Sequence, residues 1–303
     1  MLRRLEFHAM GSEMLAVLES NILSQTLPVV TQWFEEWEQV LSRFRYDSEL
    51  TRLNQTHDRP VQVSEVLWDV YQAAVEAEQM TEGLVTPTVL NAMLEAGYDR
   101  PFGEMTEKDI PLTDSIYSAA PPEKEVSANE ADRTIILPKG IGLDFGGVAK
   151  GWAAHQAMER LQTEGPALVD AAGDIAISGP RAGGGPWQIG VADPFHKEEE
   201  IEILFLNRCG VATSGKDRRR WHRDGALKHH IINPLTNQPA ETDVLTVTVI
   251  APDVMQAEAA AKAALIQGSG PGLEWIEAHP GFAALFILDD GQMIYSQNME
   301  EYL

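Results

Sequence analysis

Apolar and polar positions interleave in two short runs at the start of the chain, "MLRRLEF" and "EMLAVLE", which predicts two strands with "HAMGS" between them. The period then changes. In "TLPVVTQWFEEWEQVLSRF" (26–44) apolar residues fall at helical spacing, so the hairpin leads into a helix. A second helix is predicted over 64–80, "SEVLWDVYQAAVEAEQM", with Ser64 as its N-cap. "TEGLVTPTVLNAML" follows, punctuated by Pro87. Residues 100–130 are rich in Pro, Asp, Glu and Ser and read as a surface excursion or a boundary between halves.

Beyond that stretch, "RTIILP" reads as a strand. "IGLDFGGVAKGWAAHQAMERL" (141–161) opens as a strand, breaks at Gly146 and Gly147, and continues as a helix. "PALVDAAGDIAISG" and "WQIGVADP" are predicted strands separated by the turn "RAGGGP", with further strands over 201–206, 245–250 and 282–288. "MQAEAAAKAALIQG" is an Ala-rich helix ending at Gly268. The pattern is mixed α and β, without short repeats.

Composition narrows the function classes. With 303 residues, 44% of them hydrophobic, the chain can build substantial cores. A formal charge of −23 repels nucleic acid and acidic membrane surfaces, so neither is an expected partner. Cys209 is the single cysteine, which rules out an intramolecular disulfide and a multi-cysteine zinc site; it reads as a buried small hydrophobe. No apolar run has the length of a signal peptide or a membrane span, so a cytoplasmic chain is expected.

The junction "LDFGGVAK" carries the first chemical signal. Glycines there let backbone N–H groups approach a ligand, and a helix N-terminus beyond them favours anions, which points to a phosphate-bearing ligand; an ordinary tight turn is the alternative. The spacing is neither the Gly-x-Gly-x-x-Gly of a dinucleotide fold nor a P-loop. "KDRRRWHR" (216–223) adds five Lys/Arg in eight residues, a local basic patch suited to phosphates.

Seven stretches, in order, resemble the ApbE family of flavin transferases: "AMGS" (9–12), "LSRFRYDSELTRLN" (41–54), "LDFGGVAKGWA" (143–153), "ALVDAAGDIAISG" (167–179), "VATSG" (211–215), "HHIINPLTNQP" (229–239) and "AEAAAKAALIQG" (257–268). The resemblance implies an α+β fold over 1–303, two interlocked similar halves around antiparallel sheets. It also implies binding of FAD, cleavage of its pyrophosphate, transfer of FMN to a threonine or serine hydroxyl of an acceptor flavoprotein, and release of AMP. By the same resemblance Met10 and Phe44 touch the flavin or adenine, and Leu84, Val85 and Thr86 form part of the FAD wall. Asp144, Gly146, Lys150 and Ile231 contact FAD, and His230 is the base for the attacking hydroxyl. Ordinary core packing remains the alternative for Met10 and Phe44, helix capping for Asp144, and a structural role for His230.

Some positions depart from the family pattern. Its usual magnesium ligands are an Asp, a Thr four residues on, and a carbonyl of the glycine turn; here Glu258, Lys262 and Gly147 stand there. A protonated lysine cannot ligate magnesium. Lys262 either supplies the metal's charge itself or forms an ordinary i,i+4 surface pair with Glu258. Asn233 replaces an Asp, Asn237 a Gly, and Val85 and Thr86 a Phe-Asp pair. Alternatives to the transferase are therefore an FAD-binding protein without transfer chemistry and an FAD pyrophosphatase giving FMN and AMP.

Overall fold

Most predicted elements form where the apolar pattern places them in the structure, a computed structural model that describes residues 1–105, 125–196, 198–223 and 225–303. The predicted surface excursion at 100–130 falls largely on 106–124, outside the described residues. The hairpin of β1 (Leu2–Ala9) and β2 (Ser12–Glu19) leads to α1 (Val30–Leu41), α2 (Glu49–Asn54), β3 (Val61–Gln62), α3 (Glu65–Met80) and α4 (Leu90–Glu95). Next come β4 (Ser127–Asn129), β5 (Thr134–Ile136), α5 (Ala149–Leu161), β6 (Ala167–Ala171), β7 (Asp174–Ile177), β8 (Trp187–Ala192), β9 (Glu200–Leu206) and β10 (Cys209–Gly215). The chain continues through β11 (Arg220–Arg223), β12 (Ala226–His229), β13 (Ile232–Asn233), β14 (Gln238–Pro239) and β15 (Val244–Ala251). It closes with α6 (Val254–Gln267), α7 (Ser269–Glu277), β16 (Ala283–Leu288) and β17 (Met293–Tyr295). The α+β expectation holds.

The chain divides into two compact units, each assembled from separated segments. The first comprises Met1–Phe34, Lys150–Asp217 and Glu241–Leu303, and holds an antiparallel sheet of order β1-β2-β6-β7-β10-β15-β16-β17. Alternation sorts its residues onto two faces. Val17, Leu168, Ile175, Val211, Ile250 and Leu285 pack with Trp187, Leu204 and Met299, so the β8–β9 ribbon covers one side. Alanine-rich α6 lies across β7, β10 and β15. Its approach is close enough that a Cβ on Gly210 would run into the backbone of Asp253 and Val254, which is why small residues dominate the contact. Asp253 caps α6 by accepting from Gln256 N–H (2.9 Å), and Gly268 (φ 85°) ends it as predicted.

The predicted strand "PALVDAAGDIAISG" is instead two. Ala172 (φ 61°) and Gly173 (φ 95°) form a two-residue reversal between β6 and β7, with Asp170 accepting the Gly173 N–H (2.7 Å). The same device joins β1 to β2, where Met10 (φ 50°) and Gly11 (φ 68°) occupy the turn.

The second unit, Glu35–Ala149 and Arg218–Ala240, carries α2, α3, α4 and three small sheets, β3-β5-β4, β11-β12 and β13-β14. Ser64 caps α3 as predicted, accepting from Leu67 N–H (3.3 Å). Ala92, Met93, Ala96, Tyr98, Trp221 and Ile232 form a core, with Trp221 Nε1 donating to Ala96 O (2.8 Å). Residues 141–145 are not a strand. The Asn54 side chain takes the place of a strand partner there: Nδ2 donates to Leu143 O (2.8 Å) and Oδ1 accepts from Leu143 N–H (2.8 Å).

Among the described residues no helix is long and apolar enough to cross a membrane. Cys209 is buried, as expected, and burial pushes its thiol up to about 12. It should therefore resist an aromatic disulfide reagent at pH 8 in the native state and react promptly in urea, since only the thiolate attacks. Asn54→Ala should destabilise the protein by ~1–3 kcal/mol in urea unfolding, because it strips the partners from both buried polar groups of Leu143.

Candidate functional site

In the first unit four charged side chains meet beneath α6. Glu258 is fully buried, yet it is the best-partnered carboxylate of the group. Its Oε2 accepts the Gly151 N–H (3.0 Å), and its Oε1 accepts from Lys262 Nζ (3.0 Å) and Lys150 Nζ (3.4 Å). Lys150 also pairs with Asp174, at the first position of β7. Gly151 is required here, since a Cβ would stand 2.6 Å from Glu258 Oε2. Burial and the neighbouring Glu258 charge push Asp174 up to about 6 against the pull of Lys150 and Lys262. Burial would raise Glu258 too, but Lys262, Lys150 and the Gly151 N–H outweigh it and hold it at about 2. The i,i+4 pair Glu258–Lys262 is thus no surface pair.

This donor set does not fit magnesium. A Mg²⁺ ion needs oxygen ligands at about 2.0–2.1 Å, whereas both Glu258 oxygens already accept protein donors and the second ligand position is itself an ammonium. Among the described residues, acids and histidines spaced for a metal occur elsewhere, as Asp193, His196 and Glu199 on the connection between β8 and β9.

In the second unit the glycine turn is held by an ion pair. Arg43 Nε donates to Asp144 Oδ2 (2.6 Å), and both side chains are buried. Asp144 Oδ1 in turn accepts the Gly146 N–H (2.8 Å), and the Asp144 N–H donates to Pro87 O (2.8 Å). Asp144 therefore shapes the turn before α5 rather than capping the helix. Gly146 is exposed and a Cβ there would crowd Asp144 Oδ1 at 2.9 Å. The Arg43 guanidinium also lies 4.1 Å from the Phe44 ring centroid and 4.8 Å from that of Tyr98, which stacks on Trp221. Phe44 is 37% exposed, so core packing does not account for it.

Leu84, Val85 and Thr86 leave α3 through a turn closed by Thr81, whose hydroxyl donates to Ala77 O (2.7 Å) and accepts the Val85 N–H (3.0 Å). Thr86 then caps the 3-10 turn Pro87–Val89. The paired histidines do not share one strand: β12 ends at His229, and β13 begins at Ile232. His229 is structural. Its Nδ1 accepts the Ile231 N–H (3.3 Å), which makes Nε2 the donor to Ala240 O (3.0 Å). His230 is half-buried and Ile231 buried.

Two cations of the basic run "KDRRRWHR" are already engaged within the protein. Lys216 is spent in the first unit on Asp289 (2.7 Å) and Thr242 O (2.5 Å), and Arg223 is buried in the second, donating to Leu94 O (3.2 Å). Asn237 has φ 55°, and asparagine is the side-chain-bearing residue that best tolerates the left-handed turn glycine would otherwise fill. Three residues escaped the sequence reading: Arg43, Asn54 and Asp174. The one available signal was an acid inside an apolar run, "AGDIAI".

The ApbE family model matches residues 10–286, from the Met10 turn into β16. The chain belongs to the ApbE family. The curated ApbE relatives it matches include the FAD:protein FMN transferase of Treponema pallidum, 31% identical over 84% of this chain and 75% of that protein. Another is the FAD:protein FMN transferase of Vibrio cholerae, 29% identical over 91% of this chain and 84% of that one. Among solved structures, the ApbE protein of Thermotoga maritima superposes with a TM-score of 0.88 at 26% identity, covering 100% of this chain and 99% of its own.

Removing the firm anion of the buried quartet tests its geometry. Glu258→Gln leaves two ammoniums facing Asp174 and should cost ~3–5 kcal/mol in urea unfolding at neutral pH. Because Glu258 is held below its usual 4.5, its contribution is present above that pH and fades as pH falls toward about 2, so the gap between wild type and variant should narrow on acidification.

Proposed function

We propose that the chain is an FAD:protein FMN transferase. The observation that carries this reading is the match of nearly the whole chain to the ApbE family and its curated transferases. The acceptor hydroxyl oxygen attacks the FMN-side phosphorus of FAD, the bond to the bridging oxygen breaks, AMP leaves with that oxygen, and the hydroxyl proton passes to a base. The catalytic demand is positioning and charge stabilisation.

His230 is the base in this reading. The support is the family resemblance of "HHIINPLTNQP", together with the structural role of the neighbouring His229, which holds two backbone groups. Lys150 supplies positive charge for the pyrophosphate, and the exposed Gly146 turn, shaped by Asp144 and Arg43, supplies a backbone donor surface. Phe44, with a guanidinium on its ring, suits a planar heterocycle, as does the flexible Met10 at its hairpin tip. In the same reading Leu84, Val85, Thr86 and Ile231 also contact FAD, and 1–303 acts as one module. The acceptor is a flavoprotein with a threonine or serine hydroxyl. With its single cysteine the fold needs no oxidising compartment, in keeping with a cytoplasmic enzyme.

Incubating the protein with FAD and candidate flavoproteins should give AMP in step with a covalent FMN adduct detected by mass; AMP without an adduct would make it a pyrophosphatase, and FAD binding without AMP a carrier. His230→Ala should lower turnover by roughly 10²–10⁴-fold while FAD affinity stays within a few-fold, since a base acts on the nucleophile and adds little to ground-state binding. His229→Ala should instead lower thermal stability, having removed a bridge between two backbone groups.

A further inference from the structure

We infer that Lys262, together with Lys150, is a built-in cation that replaces a divalent metal at the phosphates of FAD, so that this chain binds FAD without magnesium. The inference rests on the FAD reading above and deepens it. Three observations support it. The first is occupancy: Glu258 Oε1 accepts from Lys262 Nζ at 3.0 Å and from Lys150 Nζ at 3.4 Å, while Oε2 accepts the Gly151 N–H at 3.0 Å. An ion on Oε1 would have to displace a donor and would stand beside two like charges.

The second is charge balance. Two ammoniums, Lys150 and Lys262, face two carboxyl groups, Asp174 and Glu258, so the cluster compensates itself and adding a divalent ion would leave a buried excess. Where carboxylates outnumber cations, a metal is welcome; here the two are equal in number. The third is polarity of placement. The side chains of Glu258 and Asp174 are 1% and 4% exposed, whereas those of Lys262 and Lys150 keep 18% and 15%. The carboxylates are the more deeply buried members of the cluster, so the two lysines are the members that a ligand can reach. Lysine acts in this way on phosphates, as a point charge with three donors.

The test is calorimetric titration of the whole chain with FAD and with riboflavin, each in EDTA and in excess magnesium. Wild type should bind FAD equally well, within a few-fold, in both buffers. Lys262→Met keeps the length and helix propensity of the side chain but not its charge. It should weaken FAD by roughly 10- to 100-fold, the worth of a charged hydrogen bond, in both buffers while leaving riboflavin, which has no phosphate, unchanged. Glu258→Asp with Lys262→Thr should bind FAD poorly in EDTA and recover in magnesium.

Wild-type affinity that rises tenfold or more with magnesium would overturn the inference and leave the functional reading standing. Equal losses for FAD and riboflavin in Lys262→Met, or no loss for FAD, would also overturn it, assigning the lysine to packing or to the solvent face. Absence of FAD binding under every condition would sink both.

Discussion

The buried carboxylate of Glu258 constrains most of what surrounds it. A full negative charge removed from water is stable only with several donors in good geometry, and here they come from α5 through Lys150 and Gly151 and from α6 itself through Lys262. That requirement fixes how close α5 and α6 must come. The closeness dictates the glycine at 151 and the run of alanines along α6, just as the approach of the α6 N-terminus to β10 dictates Gly210. Composition, packing and electrostatics are here a single constraint.

The second unit repeats the logic at smaller scale. Arg43 and Asp144 are both buried, and the ion pair orients the acid so that its other oxygen holds the Gly146 N–H. Without the arginine, the aspartate would be an unpaired charge next to a flexible glycine turn. The arginine also presents a flat cationic surface to Phe44 and Tyr98, so one side chain organises the turn and the aromatic group together. The turn is thereby held rigid, and in the function proposed above that would lower the ordering cost of binding.

Local pattern was enough for the hairpin at Met10 and Gly11, the caps at Ser64 and Gly268, and the strands at β9, β15 and β16. It failed where a long-range partner replaces a local one. Residues 141–145 have a strand's alternation, but their partner is an amide 89 positions away, and no window of sequence contains it. The reversal inside "VDAAGDIA" was hidden because Ala172, not a usual turn residue, takes the left-handed position. Asp174 and Arg43 were passed over for the same reason as Asn54: each becomes meaningful only beside a residue far along the chain, Lys150 being 24 positions from Asp174 and 108 from Glu258. The glycine turn, the histidine pair and the Glu258/Lys262 departure were legible because they are local peculiarities. Within the basic run, proximity in sequence did not show that Lys216 and Arg223 are taken up by partners far along the chain.

The depth of the two lysines also sets how the protein responds to salt. The chain as a whole carries −23 and would repel a phosphate ligand at long range, while in the inference drawn above Lys150 and Lys262 would attract it only at contact. Dissolved ions screen charges separated by more than a Debye length, about 8 Å at physiological ionic strength, but barely reach a partly buried pair. Added salt therefore removes the repulsion before it weakens the attraction. An acidic protein with recessed cations should capture its anionic ligand faster as ionic strength rises, the reverse of what a basic surface patch produces.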